Sequence, residues 1–245
     1  PTQIRNCVLW LDGADQTSIV LSGSNVSQWS DKSGSNNHAS QATTSNQPTY
    51  ISSNLVFNGS NFMTLATPSI LPSGATINGT FFFVTQSASA AVQVFFMYGP
   101  NTMVTGGNPQ FYYASGTYNI DTYGAGANTD SINVLNNPNI ETITLSNSGA
   151  NTVVSGWRTG NTFSGGSSNT SLVAITSQYA SVGCSATTTT TNRTFYLTGN
   201  IYEIIIYSNV LTTAQRQQVE GYLAWKWGLQ KSLPTNHPYY LFPPS

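Results

Sequence analysis

The chain has 245 residues, of which 6% are charged, and its formal net charge is −1 at pH 7. Its seven Lys and Arg residues are spread along the chain and form no basic patch, which argues against a nucleic-acid partner. No run of 18 apolar residues is present, so no membrane span is predicted, and the length suits one domain over residues 1–245.

The first half of the chain carries short strand patterns separated by polar turns. They predict strands at residues 7–12, 26–29, 54–57, 62–65, 75–86 and 92–98. Asn58-Gly59 is a turn dipeptide, and it predicts that residues 54–57 and 62–65 form a hairpin.

The second half continues the same pattern. Residues 111–123 alternate around Ser115-Gly116 and predict a hairpin, and residues 140–145 are predicted to pair with residues 152–157. Further strands are predicted at residues 162–163, 172–175, 179–184 and 193–197. So many short strands with turns between them predict an all-β, antiparallel two-sheet sandwich.

Residues 201–207 are apolar on both alternating faces, which predicts a central strand that is covered on both sides. Glu203 is the exception, on the face assigned to Ile201 and Ile205. A lone buried carboxylate is costly, so a cationic partner is expected. Arg216 is the predicted partner, and Arg5 is the alternative.

One helix is predicted at residues 212–228. Thr212 and Gln215 fit a capping box, and Gly228 fits a C-terminal cap. The stripe that faces the sheet contains Val219, Tyr222, Leu223 and Trp227. Trp225 points away from this stripe, so the Pro-bearing residues 229–245 are predicted to pack as a tail that covers it.

The two ends of the chain also resemble a known group of domains. The segments are residues 10–12 (WLD), 29–34 (WSDKSG), 203–207 (EIIIY), 221–229 (GYLAWKWGL) and 233–239 (LPTNHPY). They resemble concanavalin A-like, laminin G-like jelly-roll domains, in the subgroup met in large DNA viruses, phages and bacterial surface proteins. The resemblance implies a jelly roll whose first and last strands lie side by side. The same fold hosts lectins, glycoside hydrolases and structural modules, so function must be argued from the residues.

The carboxylates do not match a glycoside hydrolase. Such enzymes need a pair of acids about 5 Å apart, or somewhat further for inversion. None of the chain's eight Asp and Glu residues form an i, i+2 or i, i+4 pair in a predicted strand. His38 and His237 have no neighbouring acid and nucleophile. The sequence therefore predicts that the protein is not an enzyme.

The sequence leaves open whether the two cysteines form a disulfide and whether the aspartates near the N-terminus bind Ca²⁺. Cys7 and Cys184 form no metal or redox motif, and they are either a disulfide or two buried thiols. Asp12, Asp15 and Asp31 are the nearest candidates for the Ca²⁺ that related domains hold at their rim, although their spacing is not a ligand pattern. No other cofactor is predicted.

Aromatic and amide side chains in the middle of the chain suit sugar binding by stacking and hydrogen bonding. The predicted ligand-binding residues are Tyr113, Tyr118, Tyr123 and Trp157, although about half of the tyrosines in this hairpin should face the core. Glu203, Arg216, Trp225 and Trp227 are assigned structural roles.

Two functions from different classes remain. The first is a non-catalytic, lectin-like module that binds glycans or a host-surface receptor, in a virion or surface protein. The second is a structural capsid or fibre component that binds other virion proteins. A glycoside hydrolase is the function that the residues support least. An extracellular or virion-surface location is expected for all of them.

Overall fold

The computed structural model describes residues 1–65, 78–99, 109–121, 127–148, 151–163, 167–168, 179–186 and 193–245. Its strands are β1 (Cys7–Asp12), β2 (Ile19–Ser22), β3 (Asn25–Trp29), β4 (Ala39–Ser40), β5 (Thr49–Ile51), β6 (Asn54–Asn58), β7 (Met63–Leu65), β8 (Gly79–Ser87), β9 (Gln93–Gly99), β10 (Gln110–Ala114), β11 (Thr117–Asp121), β12 (Ala127–Asn133), β13 (Asn139–Ser148), β14 (Asn151–Arg158), β15 (Asn161–Phe163), β16 (Ser167–Ser168), β17 (Tyr179–Val182), β18 (Ser185–Ala186), β19 (Arg193–Thr194) and β20 (Thr198–Tyr207). The α-helix α1 spans Thr213–Lys226. The strand predicted at residues 172–175 lies outside the described residues.

The first sheet is built around β20. This strand pairs antiparallel with β1, β6 and β8, and the sheet continues from β8 through β13 and β14 to β15. Leu11 of β1 lies opposite Ile204 of β20, so the first and last strands are neighbours, as the resemblance implies. The predicted central position of residues 201–207 and the pairing of β13 with β14 are confirmed.

The second sheet runs in the order β3, β4, β7, β17, β9, β10, β11 and β12. The predicted hairpin around Ser115-Gly116 is confirmed as β10 and β11. The predicted hairpin of residues 54–57 and 62–65 is wrong, because β6 pairs within the first sheet and β7 within the second. Asn58-Gly59 therefore turns the chain from one sheet to the other.

Aromatic side chains fill the space between the two sheets. Phe83 of β8 lies 5.1 Å from Phe95 and 4.8 Å from Phe111, measured between ring centroids. Phe81 lies 5.0 Å from Phe111 in the same way. These rings are fully buried, and their burial supplies much of the apolar free energy that holds the layers together. The architecture is the predicted antiparallel jelly-roll sandwich with one C-terminal helix.

A β-bulge in β20 changes the side-chain alternation that the sequence suggests. Its register against β8 shifts between Ile201 and Glu203. Ile201 therefore packs in the core between the sheets with Ile204, whereas Tyr202 packs with Ile205 on the opposite face. The predicted grouping of Ile201 with Ile205 is wrong for this reason, since an extra residue in one strand turns every side chain before it to the other face.

Helix α1 covers the outer face of the first sheet. The hydroxyl of Thr212 accepts a hydrogen bond from the Gln215 backbone N–H, and the predicted capping box is complete. Val219 and Leu223 pack against the outer face of the sheet in one buried cluster. The helix ends at Lys226, and Gly228 follows with φ +72°, a conformation that glycine adopts readily.

The tail after the helix returns to pack on α1. Leu233 is buried, and Trp225 donates from Nε1 to the Tyr239 carbonyl over 2.8 Å. Leu241 and Phe242 are exposed at 68% and 74%. The tail thus covers Trp225 near residue 239, and Leu241 and Phe242 extend into solvent.

Neither cysteine forms a disulfide. Cys7 is in β1, and Cys184 follows β17; both thiols are free. Of the two alternatives, the structure shows the pair of free thiols. No helix in the described ranges is long and apolar enough to cross a membrane.

Candidate functional site

Glu203 is the centre of a buried polar cluster between β20 and the end of α1. Its carboxylate is fully buried and accepts from Trp10 Nε1 at 2.8 Å, Tyr222 Oη at 2.9 Å and Trp227 Nε1 at 2.7 Å. Lys226 Nζ lies 2.8 Å from Oε2. Burial raises the pKa of Glu203, and the Lys226 ammonium opposes that shift. The cluster ties three elements together and leaves no oxygen of Glu203 free for chemistry.

The predicted Glu203–Arg216 pair is wrong. Arg216 lies one turn into α1, whereas Glu203 lies under the last turn beside Lys226. Arg216 and Lys226 are ten positions apart in the helix, which places them about 15 Å apart along its axis. Arg216 instead binds Glu220, with its Nη1 2.6 Å and 2.7 Å from the two carboxylate oxygens. Helical periodicity predicts on which face of the helix Arg216 lies. It does not predict which strand residue lies beneath that face.

The aspartates of the opening segment do not fit a Ca²⁺ site. Asp12 is 2.5 Å from Lys226 Nζ and 2.8 Å from Lys32 Nζ, and Asp15 is 2.6 Å from Lys32 Nζ. Asp31 accepts hydrogen bonds from the backbone N–H groups of residues 10, 33 and 37. Ammonium and amide groups hold these oxygens, and within the described ranges no three His, Cys, Asp or Glu side chains converge.

Two of the predicted sugar-binding tyrosines are core residues. Tyr113 and Tyr118 are both 0% exposed. The Tyr113 hydroxyl is 2.6 Å from Thr85 Oγ1, and the Tyr118 ring packs 5.8 Å from Phe95 between centroids. Neither ring has a free face for a sugar, so these two assignments are wrong. Tyr123 lies outside the described residues.

Trp157, in contrast, is a predicted ligand-binding residue that reaches the surface. It lies on β14 opposite Thr162 and is partly exposed. It borders a pocket of about 340 Å³, here called the Trp157 pocket. The pocket is lined by Trp157, Gly160, Asn161, Thr162, Arg216, Gln217, Pro234, Asn236 and His237.

Three separate segments meet at the Trp157 pocket. The turn between β14 and β15 contains Gly160, whose φ is +77°; a Cβ there would lie 3.0 Å from Pro234 and 3.2 Å from His237. This close approach is open to glycine alone without displacement of the tail. Asn161 donates from Nδ2 to the Ser232 carbonyl over 3.4 Å. The turn, the helix and the tail thus hold the walls of the pocket in place.

The pocket contains one buried cation, Arg216, whose charge is balanced by a neighbouring carboxylate. The Arg216 guanidinium lies 4.0 Å from the centroid of the Trp157 ring, and its charge is paired with Glu220. His237 Nε2 is 3.3 Å from Glu220 Oε2. The neutral amides of Gln217 and Asn236 also line the pocket. An aromatic ring beside amides can stack on a sugar ring and hydrogen-bond its hydroxyls.

A second acid lies inside the sandwich, away from this pocket. Glu141 of β13 is fully buried, and neither of its oxygens has a hydrogen-bond partner among the described residues. Burial raises the pKa of Glu141 well above its ordinary value, and nearby Asp130 raises it further. Asp130 is paired with Arg158. Both acids are buried, Glu141 at 0% and Asp130 at 2% exposure.

Sequence reasoning missed most of the Trp157 pocket. Asn161, Gln217 and Asn236 are separated by long stretches of chain and belong to no shared motif. The glycine turn after Trp157 and the tail around His237 were visible as turn and packing signals. Only the packing of the tail onto α1 and β14 shows that they meet.

Comparison with solved structures shows the fold. The Trypanosoma rangeli sialidase in complex with sialic acid has a TM-score of 0.62 at 13% identity over 91% of this chain and 33% of that chain. A native heptameric SAP-like pentraxin from Limulus polyphemus has a TM-score of 0.53 at 14% identity over 67% of this chain and 80% of that one. A mutant of NanB sialidase from Streptococcus pneumoniae has a TM-score of 0.52 at 13% identity, over 66% of this chain and 26% of that one.

These likenesses show the fold class: the chain is an antiparallel jelly-roll β-sandwich. It spans about a third of the length of the Trypanosoma sialidase that it matches. No protein-family model matches the sequence, and no curated protein matches it. Similarity at this level of identity leaves function to the residues of the site.

Proposed function

We propose that this chain is a non-catalytic carbohydrate-binding module and that the Trp157 pocket holds the sugar. The observation that carries the proposal is the partly exposed Trp157 ring beside the neutral amides of Gln217 and Asn236, in one pocket of about 340 Å³. This volume lies at the small end of ligand sites and suits one or two sugar rings.

The electrostatics of the pocket favour a neutral glycan. Arg216 is compensated by Glu220, so a charged ligand gains little net attraction from it. The amides and the Thr162 hydroxyl offer both donors and acceptors to sugar hydroxyls. A single site of this kind binds weakly, near the millimolar range at about −4 kcal/mol. Useful adhesion then requires several copies on one surface.

The placement of the acids supports a role without catalysis. Glu203, Glu220, Asp12 and Asp15 are held in ion pairs, and Glu141 is enclosed between the sheets. None of them lines the Trp157 pocket. Hydrolysis of a glycosidic bond needs an acid and a second carboxylate on either side of that bond.

The proposed setting is attachment to a host or cell surface, as part of a virion or surface protein outside the cell. Its support is the low charge content, with 6% charged residues, and the end motifs that resemble the viral and phage subgroup. In that setting the partners are surface glycans or a glycosylated receptor.

A glycan array probed with the multivalently displayed protein tests the proposal. Binding to neutral glycans is expected, and Asn236→Ala and Trp157→Ala should each reduce it at least tenfold while the circular dichroism spectrum is unchanged. Phe242→Ala is the matched control, because this ring is 74% exposed and lies outside the pocket. Failure of the multivalent wild type to bind any glycan would overturn the proposal.

The alternative is a structural component that binds protein. Leu241 and Phe242, exposed at 68% and 74%, are the observation in its favour, because neighbouring exposed apolar side chains often mark protein contacts. Sedimentation of the wild type and of Leu241→Ser/Phe242→Ser separates the two. Self-association that this double variant abolishes, together with an empty glycan array, would favour the structural role.

A further inference from the structure

Arg193 has an unusual charge environment. The chain contains seven Lys and Arg residues, all within the described ranges. Four of them, Lys32, Arg158, Arg216 and Lys226, form ion pairs with carboxylates. Arg5 and Lys231 are exposed to solvent. Arg193 is half-buried, and none of the described carboxylates forms an ion pair with it.

Aromatic rings rather than acids surround the Arg193 guanidinium. Its Cζ lies 3.8 Å from the centroid of Phe62 and 5.9 Å from that of Tyr179. Nη1 donates to Cys184 Sγ over 3.5 Å. Burial raises the pKa of the Cys184 thiol, so the sulfur is uncharged at neutral pH and does not neutralise the cation. Half-burial of an uncompensated guanidinium costs free energy, which cation–π contacts offset in part.

Two further aromatic residues follow Arg193 closely in the chain. Tyr196 is partly exposed, and its ring centroid is 6.4 Å from that of Phe62. Phe195 is 52% exposed and adopts φ +53°, a conformation that is unfavourable for an aromatic residue. The Phe195 carbonyl accepts a 2.7 Å hydrogen bond from the Val94 N–H, which helps to hold this conformation, whereas the ring itself buries little surface. Residues with such strained backbones concentrate at binding sites. Phe62, Arg193, Phe195 and Tyr196 are called the Arg193 patch below.

We propose that the Arg193 patch is a second binding site, for a saccharide that carries a carboxylate. The guanidinium presents a planar set of donors that pairs with both oxygens of a carboxylate. The exposed ring of Phe195 and the partly exposed ring of Tyr196 offer surfaces on which the apolar face of the sugar stacks. The ligand carboxylate thus provides the negative charge that the chain itself does not place beside Arg193.

The Arg193 patch is separate from the Trp157 pocket. Tyr179, beneath Arg193, packs with Val94 and Met97 in a cluster of the second sheet that is distinct from the core between the sheets. The Trp157 pocket is formed by β14, β15, α1 and the tail, on the helix side of the first sheet. The two sites therefore differ in location and in charge, one being neutral and the other cationic.

A matched set of ligands tests the carboxylate. A trisaccharide that ends in glucuronic acid is titrated into the full chain by NMR, in parallel with the same trisaccharide ending in glucose and with its glucose 6-sulfate form. We expect the glucuronic acid form to bind at least tenfold more tightly than the glucose form and to shift the Arg193 Nε–H resonance. Equal affinity for the acid and the neutral sugar overturns the proposal, and so does tighter binding of the sulfate.

Variants then test the residues. Arg193→Gln should lower the affinity for the glucuronic acid trisaccharide at least tenfold, and Arg193→Lys at least threefold, because an ammonium keeps the charge but loses the planar donor set. Phe195→Asn removes a ring while it suits the left-handed backbone, so it should keep the melting temperature and weaken binding at least threefold. Unchanged affinity in Arg193→Gln or in Phe195→Asn contradicts the assignment.

Trp157→Ala separates this site from the proposed function. It should reduce binding of neutral glycans at least tenfold and leave the affinity for the glucuronic acid trisaccharide unchanged. A loss of acidic-sugar binding in Trp157→Ala would place that sugar in the Trp157 pocket and would overturn the second site. A loss confined to the Arg193 variants supports it, whether or not neutral glycans bind.

Discussion

Lys226, in the last turn of α1, forms a 2.8 Å ion pair with the fully buried Glu203 of β20. The same ammonium lies 2.5 Å from Asp12 at the end of β1. One cation therefore joins the helix to both the first and the last strand. Because two indole N–H groups and a tyrosine hydroxyl complete the shell around Glu203, the cluster fixes how the helix is seated on the sheet.

Glu203→Gln is expected to destabilise the fold by about 3 kcal/mol. It removes one of the two carboxylates that pair with Lys226, and it places an amide NH2 against the indole and hydroxyl donors that surround the side chain. A double-mutant cycle checks the partner. The free energies of unfolding of Glu203→Gln and Lys226→Met should couple by more than about 1 kcal/mol, and those of Glu203→Gln and Arg216→Met should add. Coupling to Arg216 alone would contradict the observed pairing. Neutral-glycan binding should survive in Glu203→Gln.

The sequence predicted the fold better than the site, and β20 and α1 show why. Residues 201–207 are apolar on both faces, and Thr212 and Gln215 form a local capping motif, so short-range patterns suffice for both elements. The bulge at Ile201–Glu203 was not predictable, because the extra residue is defined only by the register against β8. The position of the helix on the sheet is likewise not encoded locally, and for this reason the predicted partner of Glu203 was wrong.

The candidate site depends on contacts that are distant in sequence. The alternation of residues 111–123 predicts that some of the tyrosines face the core. It does not predict which of the two faces of the hairpin that is. Tyr113 and Tyr118 proved to be inside. Trp157 is on the outer face, and it becomes part of a pocket only because Gly160 allows the tail to approach. No local pattern in the sequence encodes that approach.

Tyr118→Phe is expected to leave stability unchanged or to raise it by up to about 1 kcal/mol. The Tyr118 hydroxyl is buried and has no hydrogen-bond partner within the described residues. Tyr113→Phe is the matched control: it breaks a 2.6 Å hydrogen bond with Thr85 and should cost about 1 kcal/mol. Urea unfolding measures both. A clear loss of stability in Tyr118→Phe would mean that its hydroxyl has a partner, such as a buried water.

Glu141→Gln is expected to stabilise the fold at neutral pH and to flatten its pH dependence. Burial raises the pKa of Glu141 in the folded state, so the folded chain keeps a proton that the unfolded chain releases above about pH 4.3. The contribution of Glu141 to stability is therefore largest below that pH and falls as the pH rises towards the folded-state pKa, by up to about 1.4 kcal/mol per pH unit.

Unfolding free energies of wild type and Glu141→Gln, measured from pH 4 to pH 8, check this sign. Burial also raises the pKa of Glu203, so the difference between the two proteins is the quantity to follow. It should be small at pH 4 and grow with pH. A constant difference would mean that Glu141 does not titrate differently in the folded and unfolded chains.

Gly221→Ala should destabilise the protein, although alanine is the better helix former by about 1 kcal/mol. Gly221 lies inside α1, and a Cβ there would be 2.6 Å from Cβ of Tyr239. The tail must move to relieve this contact, and the Trp225 hydrogen bond to the Tyr239 carbonyl would be lost with it. The sign of the effect should reverse in the background Tyr239→Gly, where the obstructing side chain is absent. Thermal unfolding of the four proteins in this cycle measures both signs, and a stabilising Gly221→Ala in the wild-type background would show that the tail does not pack on the helix.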